Sequence, residues 1–284
     1  MMEPAKIVAR RIWREDGPSA GSRSIPEETA VALTYNGGTY AVMMTTPQDL
    51  RDFAIGFSLS EGVIGSPADI DSLDIVQLDD GVELRMWLSQ PKADRLRERR
   101  RHIAGPTGCG LCGIESIAEA MRPAAVVAPG RQFSPEQIMA AMRSLPSRQK
   151  LNVQTRAVHA AAFWNATSGI VALREDVGRH NALDKLSGAL ARGSIEAGEG
   201  MILLTSRVSV EMVQKSAVIG ASVMVSVSAP TALAVRMADA AGITLAAIAR
   251  ADGFEVFTHP HRISNVETVS APTLPRRVRC ASSS

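Results

Sequence analysis

Three near-continuous apolar runs, at 201–205, 223–227 and 243–249, alternate with two amphipathic stretches, and this alternation narrows the fold further than any other feature of the chain. The stretch 209–219 puts Val213 and Ala217 on one helical face. A second helix opens at Pro230, runs to Ala241 and is stopped by Gly242. Strand, helix, strand, helix, strand makes two crossovers, and crossovers demand parallel strands. Runs this apolar leave no polar face, so the sheet they build is covered on both sides. A last short strand is expected at 254–258.

Upstream the α/β pattern continues. Ser134, Pro135 and Glu136 open a helix that runs through Met142. Segments 158–164 and 170–173 read as paired strands joined at 165–169. Asn181 reads as the cap of a helix that turns Leu183, Leu186 and Leu190 inward and ends at Gly193. The first hundred residues have a different character. Segments 29–34 and 39–45 flank Asn36-Gly37-Gly38, and segments 70–78 and 82–88 flank Asp79-Asp80-Gly81, which predicts two hairpins. Between them Thr46 as N-cap and Pro47 as first residue start a helix with Leu50, Phe53, Ala54 and Phe57 on one face, closed by Glu61-Gly62. The expected organisation is a smaller α+β domain over 1–102 and an α/β domain with a mainly parallel sheet over 103–284, with the charged stretch 91–102 at the boundary.

Two of the three cysteines form Gly108-Cys109-Gly110-Leu111-Cys112-Gly113. Ile114, Ile117, Ala118 and Met121 follow at helical spacing, so a glycine-rich loop feeds a helix N-terminus. Such a site favours an anion and lowers a thiol from its ordinary value of about 8.5. Three chemistries compete for the pair. Structural zinc needs four ligands, yet only Cys280 remains, and His102, His159, His180, His259 and His261 show no ligand-pair spacing. A thioredoxin-like pair belongs at the first βα turn of a compact domain, and here a long segment precedes the motif. Sulfur transfer needs an exposed nucleophile that accepts sulfur as a persulfide, which a mobile glycine-rich loop suits. Burial as two small core residues fits poorly among so many glycines.

A net charge of +2 argues against a nucleic-acid-binding field over the whole surface. Lys92, Arg95, Arg97, Arg99, Arg100 and Arg101 are locally basic, either as a solvated face or as a collar for an anionic ligand or acidic partner. The sequence shows no secretory segment and no apolar run long enough to span a membrane, and an odd number of cysteines fits a reducing compartment. A cytoplasmic protein is expected.

Polar residues gather where the strands end. Arg174, Glu175, Asp176, Arg179, His180 and Asn181 crowd one strand-to-helix turn, where helix capping would need only one of them. Thr205-Ser206-Arg207-Val208-Ser209 precedes a helix and could hold an anion, with Ser209 otherwise a plain cap. Ser228-Ala229-Pro230-Thr231 and Arg250-Ala251-Asp252-Gly253 are the equivalent loops of the next two strands. Parallel strands would bring these loops to one edge of the sheet, where open α/β sheets bind ligands. His159 lies in an apolar stretch, as a core histidine or as a ligand contact.

Taken in order, residues 56–64 (GFSLSEGVI), 108–113 (GCGLCG), 158–161 (VHAA), 175–185 (EDVGRHNALDK), 206–215 (SRVSVEMVQK) and 228–231 (SAPT) resemble the formate dehydrogenase accessory sulfurtransferase family, FdhD type. The resemblance implies a sulfur carrier between a cysteine desulfurase and the molybdenum cofactor in its bis-guanine-dinucleotide form, serving formate dehydrogenase. It also implies a cytidine-deaminase-like larger domain, a homodimer, a persulfide on Cys109, and a cofactor segment at Ile248, Ala249, Arg250, Ala251, Asp252 and Gly253. Cys112 would assist, resolve the persulfide or keep the loop redox-competent. Arg207, Arg250 and Arg179 would then face phosphates, with Ser209, His159 and His180 beside them. Deaminases of that fold use H-x-E and P-C-x-x-C around zinc, but here Ala161 stands where the Glu would be, so no resident metal and no deamination are expected. A chaperone that only holds the cofactor, or a zinc hydrolase, are the rival readings.

Overall fold

The computed structural model describes residues 2–89, 92 and 121–265. Cys109, Cys112, Cys280 and most of the helix expected from Ile114 lie outside these residues. Two strands, β1 (Ala5–Arg14) and β2 (Gly17–Pro26), form an antiparallel ribbon that the sequence pattern does not announce, because both faces are largely exposed and carry no alternation. The next four strands, β3 (Thr29–Tyr35), β4 (Gly38–Thr45), β5 (Ile70–Leu78) and β6 (Gly81–Leu88), make a sheet in the order β4-β3-β6-β5. Both expected hairpins are present, and the sheet closes through a parallel β3–β6 pairing. Helix α1 (Leu50–Ser60) packs Phe53 and Phe57 against Val31, Leu33, Leu84 and Met86 on one face of that sheet.

The helix does not begin where the sequence suggests. Its N-cap is Asp49, in a left-handed conformation, and not Thr46. Thr45 and Thr46 are drawn instead to the buried carboxylate of Asp176, a long-range partner that local capping rules do not see.

The larger sheet has the order β12-β11-β10-β9-β7-β8, from β7 (His159–Asn165), β8 (Gly169–Asp176), β9 (Gly200–Leu204), β10 (Val223–Ser226), β11 (Thr244–Arg250) and β12 (Gly253–Val256). The βαβαβ unit is as expected: β9–β10 and β10–β11 are parallel. The sheet as a whole is mixed and not mainly parallel, because β7–β8, β7–β9 and β11–β12 are antiparallel. The tight turn at 165–169 forces β7 and β8 into a hairpin, and β7 then inserts between β8 and β9. As a result β8, β9, β10 and β11 still point the same way.

Both faces of this sheet are covered. One packs on α4 (Arg179–Arg192), α5 (Val210–Ile219) and α6 (Ala232–Ala240), with Leu183, Leu186, Met212, Val213 and Ala234 fully buried. The other packs on α2 (Pro135–Arg148), whose stripe of Ile138, Ala141, Met142 and Leu145 carries the helix beyond the expected end at Met142 and through Pro146. A short α3 (Lys150–Thr155) follows. Pro230 does not open α6. It bridges to Val208, while Thr231 caps the helix by accepting from Ala234 N.

Helices α1 and α4 cross at backbone contact. A Cβ on Gly56 would sit 1.7 Å from the carbonyl oxygen of Asp184, and one on Gly188 would sit 1.9 Å from that of Asp52. Mid-helix glycine costs about 1 kcal/mol relative to alanine, so its presence twice at one crossing marks a packing requirement. Beside the crossing the buried Asp52 carboxylate accepts from Arg174 Nε and Nη2, at 2.8 and 2.6 Å, and from Arg192 Nη1 at 2.5 Å. Among the described residues no helix is long and apolar enough to cross a membrane.

Candidate functional site

Since β8, β9, β10 and β11 share a direction, the turns after all four meet at one edge, and β7 begins there. Hydrogen bonds tie the turns together. Thr205 Oγ1 accepts from Ala160 N at 2.8 Å, and Ser226 Oγ donates to Ser206 O at 2.6 Å. Thr231 N donates to Val208 O at 2.9 Å, and Ile248 N reaches Ser228 O at 3.4 Å. The expected convergence of loops is therefore present, on a braced frame.

The turn from β8 into α4 divides its polar groups between two tasks. Asp176 is fully buried, and its carboxylate receives Thr45 Oγ1, Thr46 N (3.0 Å), Gly178 N (2.8 Å), Asn181 Nδ2 (3.0 Å) and Lys185 Nζ (2.6 Å). Lys185 is equally buried and also donates to Thr46 O, and burial pushes its amine below the usual lysine range. Glu175 accepts from Leu151 N and Asn152 N at the start of α3. Burial still raises its carboxyl above the ordinary value. Asn181 is not the helix cap. Gly178 holds that position, and Asn181 sits in the first turn, donating to Met44 O and Asp176. These residues are structural. Asp176, Lys185 and Asn181 join the loop before α1 to the helix after β8.

Arg179 and His180 remain. The cap residue Gly178 has no side chain, and Arg179 follows it with its Nε buried and without a hydrogen-bond partner. His159 is half-buried opposite Asp176 in the β7–β8 register. Desolvation lowers its ring pKa, the Arg179 charge lowers it further, and Asp176 opposes both. His180 Nε2 lies 2.8 Å from Glu211 Oε2 on α5, close but not aligned for a straight hydrogen bond. Burial depresses His180 as well, with Glu211 pulling it upward and Arg179 and Lys215 downward. One helical turn on, Lys215 grips Asp184 at 2.8 and 2.9 Å, so α4 and α5 are held side by side.

Ser209 does occupy the N-cap of α5, yet its hydroxyl makes no capping bond and is buried without a partner. Two helices thus present N-termini without side-chain caps to the same edge, next to Arg179, with Arg207 and Arg250 exposed on the flanking turns. Unpaired N–H groups, the positive ends of helix dipoles and guanidinium groups all select for anions. In the last turn Ala249 is buried, Arg250, Ala251 and Asp252 are exposed, and Gly253 starts β12. Among the described residues no three His, Cys, Asp or Glu side chains converge as a metal site.

Sequence reasoning missed the Asp176–Lys185 pair and the Asp52 cluster. The signal available was an acid and a lysine nine positions apart around a helix start, with the lysine between Leu183 and Leu186 on a face that must be apolar.

The family model for the FdhD/NarQ family matches residues 26–264. The chain belongs to this family. It is 51% identical over 257 residues to a protein of Agrobacterium fabrum named sulfur carrier protein FdhD, covering 90% of this chain and 95% of that one. It is 47% identical over 253 residues to the protein of the same name from Cupriavidus necator, covering 89% and 88%. Among solved structures, a chain from Desulfotalea psychrophila assigned as a formate dehydrogenase accessory protein superposes with a TM-score of 0.73 at 25% identity, covering 92% of this chain and 100% of that chain. FdhD membership agrees with the ordered segments of the sequence, the C-x-x-C motif at 109–112 among them.

Proposed function

We propose a route for the sulfur that a member of this family carries in formate dehydrogenase maturation. Cys109, as a thiolate, attacks the outer sulfur of a persulfide on a cysteine desulfurase. A new S–S bond forms at Cys109, the donor's S–S bond breaks, and the donor leaves as its own thiolate. Cys112 assists discharge. Its thiolate attacks Cys109 Sγ, expels the terminal sulfur as hydrosulfide and leaves a Cys109–Cys112 disulfide for a dithiol reductant to open. The acceptor is the molybdenum cofactor in its bis-guanine-dinucleotide form, bound as substrate.

The observation that carries the reading of the site is the pair of helix N-termini at one sheet edge, with Arg179 Nε and Ser209 Oγ buried and unpartnered beside them. Diphosphate groups would satisfy both, with Arg207 and Arg250 closing on them from outside. A cytidine-deaminase-like ancestry for the α/β layer, a cytoplasmic location and a homodimer belong to the same proposal. Incubation with a cysteine desulfurase and cysteine, followed by mass spectrometry of the Cys109 peptide, should show one added sulfur that Cys109→Ala abolishes and Cys112→Ala retains. A Cys109 peptide that gains no sulfur overturns the route.

A further inference from the structure

Helix α1 covers one face of the sheet β4-β3-β6-β5, and the other face carries an open apolar groove. Along β3 the residues turned to α1, Val31 and Leu33, are fully buried, whereas Ala30 and Ala32, which alternate with them, are small and partly exposed. Ala30 lies opposite Met44 and Ala32 opposite Val42, and both larger side chains are half exposed or more. Leu78, at the end of β5, is half exposed as well. Ala30, Ala32, Val42 and Leu78 line a groove of about 280 Å³, with Asp79 and Asp80 of the β5–β6 turn at its rim. Both carboxylates are exposed, and neither is in an ion pair among the described residues. A contiguous apolar surface rimmed by charge marks an interaction site.

The ribbon β1–β2 has the complementary character. A two-stranded ribbon without a covering layer is marginally stable by itself. One of its faces is partly covered: Val8 and Ile12 are half-buried there, and Arg23, opposite Val8, donates to Thr155 O of α3. The other face is open. Ile7 is 77% exposed and Trp13 80%, with the small residues Ala9, Ala20 and Ser22 between them. Arg11 shares that face and Arg14 follows Trp13, and neither has an ion-pair partner among the described residues. Glu15 and Asp16 occupy the turn beyond. Tryptophan and arginine are the side chains that most often carry the binding energy of an interface. The ribbon ends at Pro26, where the match to the family model begins, so that match does not account for it.

The ribbon does not reach its own groove. Trp13 pairs with Pro18, and the eight residues from Pro18 to Pro26 span about 26 Å at the rise of a strand. Ala30 stands four residues past Pro26, at most about 14 Å of chain. The tip therefore lies about 12 Å or more from the groove of the same copy.

We propose that the ribbon of one copy seats in the groove of a second copy and that the second ribbon seats in the first. Trp13 and Ile7 then lie on Val42 and Leu78, and Arg11 and Arg14 face Asp79 and Asp80. The occupant is a second copy because both halves of the match, apolar on apolar and cation on carboxylate, belong to one chain. A reciprocal exchange of this kind closes as a two-fold dimer. The proposal rests on the homodimer reading above and extends it to a definite pair of surfaces.

Sedimentation equilibrium of the full chain tests the exchange. The wild type should be a dimer. Trp13→Ala should raise its dissociation constant about tenfold or more. Arg11→Glu with Arg14→Glu should weaken it as much, and so should Asp79→Lys with Asp80→Lys, since each pair of reversals sets like charges against each other. All four reversals together should bring the constant back to within about threefold of the wild type. A wild type that stays monomeric overturns the homodimer reading and the docking together. A dimer that none of these changes weakens overturns the docking alone, and so does a weakening that the four reversals fail to repair. Assembly beyond a dimer overturns the reciprocal exchange. Each variant should keep the far-ultraviolet circular dichroism of the wild type. A variant that loses it would show that these side chains serve the fold of a single copy, which overturns their role in docking.

Discussion

The turn at 175–185 and the turn at 205–209 lie at the same sheet edge and both lead into a helix, yet they use their polar residues in opposite ways. In the first, Glu175, Asp176, Asn181, Asp184 and Lys185 are buried and all are engaged with other parts of the chain. In the second, Arg207 is exposed and Ser209 Oγ has no partner. A dense polar motif therefore does not by itself mark the part of a site that meets a ligand. Most of the first turn fixes Arg179 and His180 in place, and the second leaves Arg207 and the Ser209 hydroxyl outside that internal network.

Breaking the first turn should have the largest effect. Lys185→Ala leaves the Asp176 carboxylate buried without its cation, and urea unfolding should show a loss of about 3–5 kcal/mol. A loss near the surface-substitution level would mean that the pair is incidental. Next comes the crossing beneath it. Gly188→Ala puts a methyl where Asp52 O already lies, and the same measurement should show a loss of about 1–3 kcal/mol despite the better helix propensity of alanine. A gain in stability would show that the helices can part freely there.

The second turn should respond in the reverse sense. Arg207→Ala should leave stability within about 0.5 kcal/mol, while GDP affinity by calorimetry falls about tenfold through loss of a charge-assisted contact. Unchanged affinity would take Arg207 out of the site. The smallest effect is in pH. His159 and His180 are depressed below their ordinary value of 6.5 in the fold, so the unfolded chain takes up more protons as the pH falls past that value. The stability they contribute is complete above pH 6.5 and declines below it. His159→Gln should flatten the decline in a series of unfolding curves between about pH 7 and 5. An unaltered slope would assign the decline to His180 or to the carboxylates.

Much of the frame is legible in the chain itself. Apolar runs, turn residues and helical stripes identify both N-terminal hairpins, the βαβαβ unit and the 165–169 turn, since each depends on neighbours within a few residues. The convergence of Arg179, Arg207, Ser209 and Arg250 on one edge follows from strand direction alone. Helix capping is less legible, and for one reason. Thr46 and Asn181 are good local caps, but Asp176 draws both away, and the energy of satisfying a buried carboxylate exceeds that of a cap. The sequence also carries the cysteine motif and the family's ordered segments, which fix the class of chemistry.

Tertiary structure alone decided which polar residues are engaged within the fold and which are left without a partner, because that depends on burial and on contacts far along the chain. It decided that β7 inserts between β8 and β9, giving a mixed sheet. It decided that Gly56 and Gly188 meet, which no window of sequence contains. It also put Ile248 into a left-handed bulge against its own preference, since only the pairing of β11 with β12 on one side and β10 on the other can hold a branched residue there.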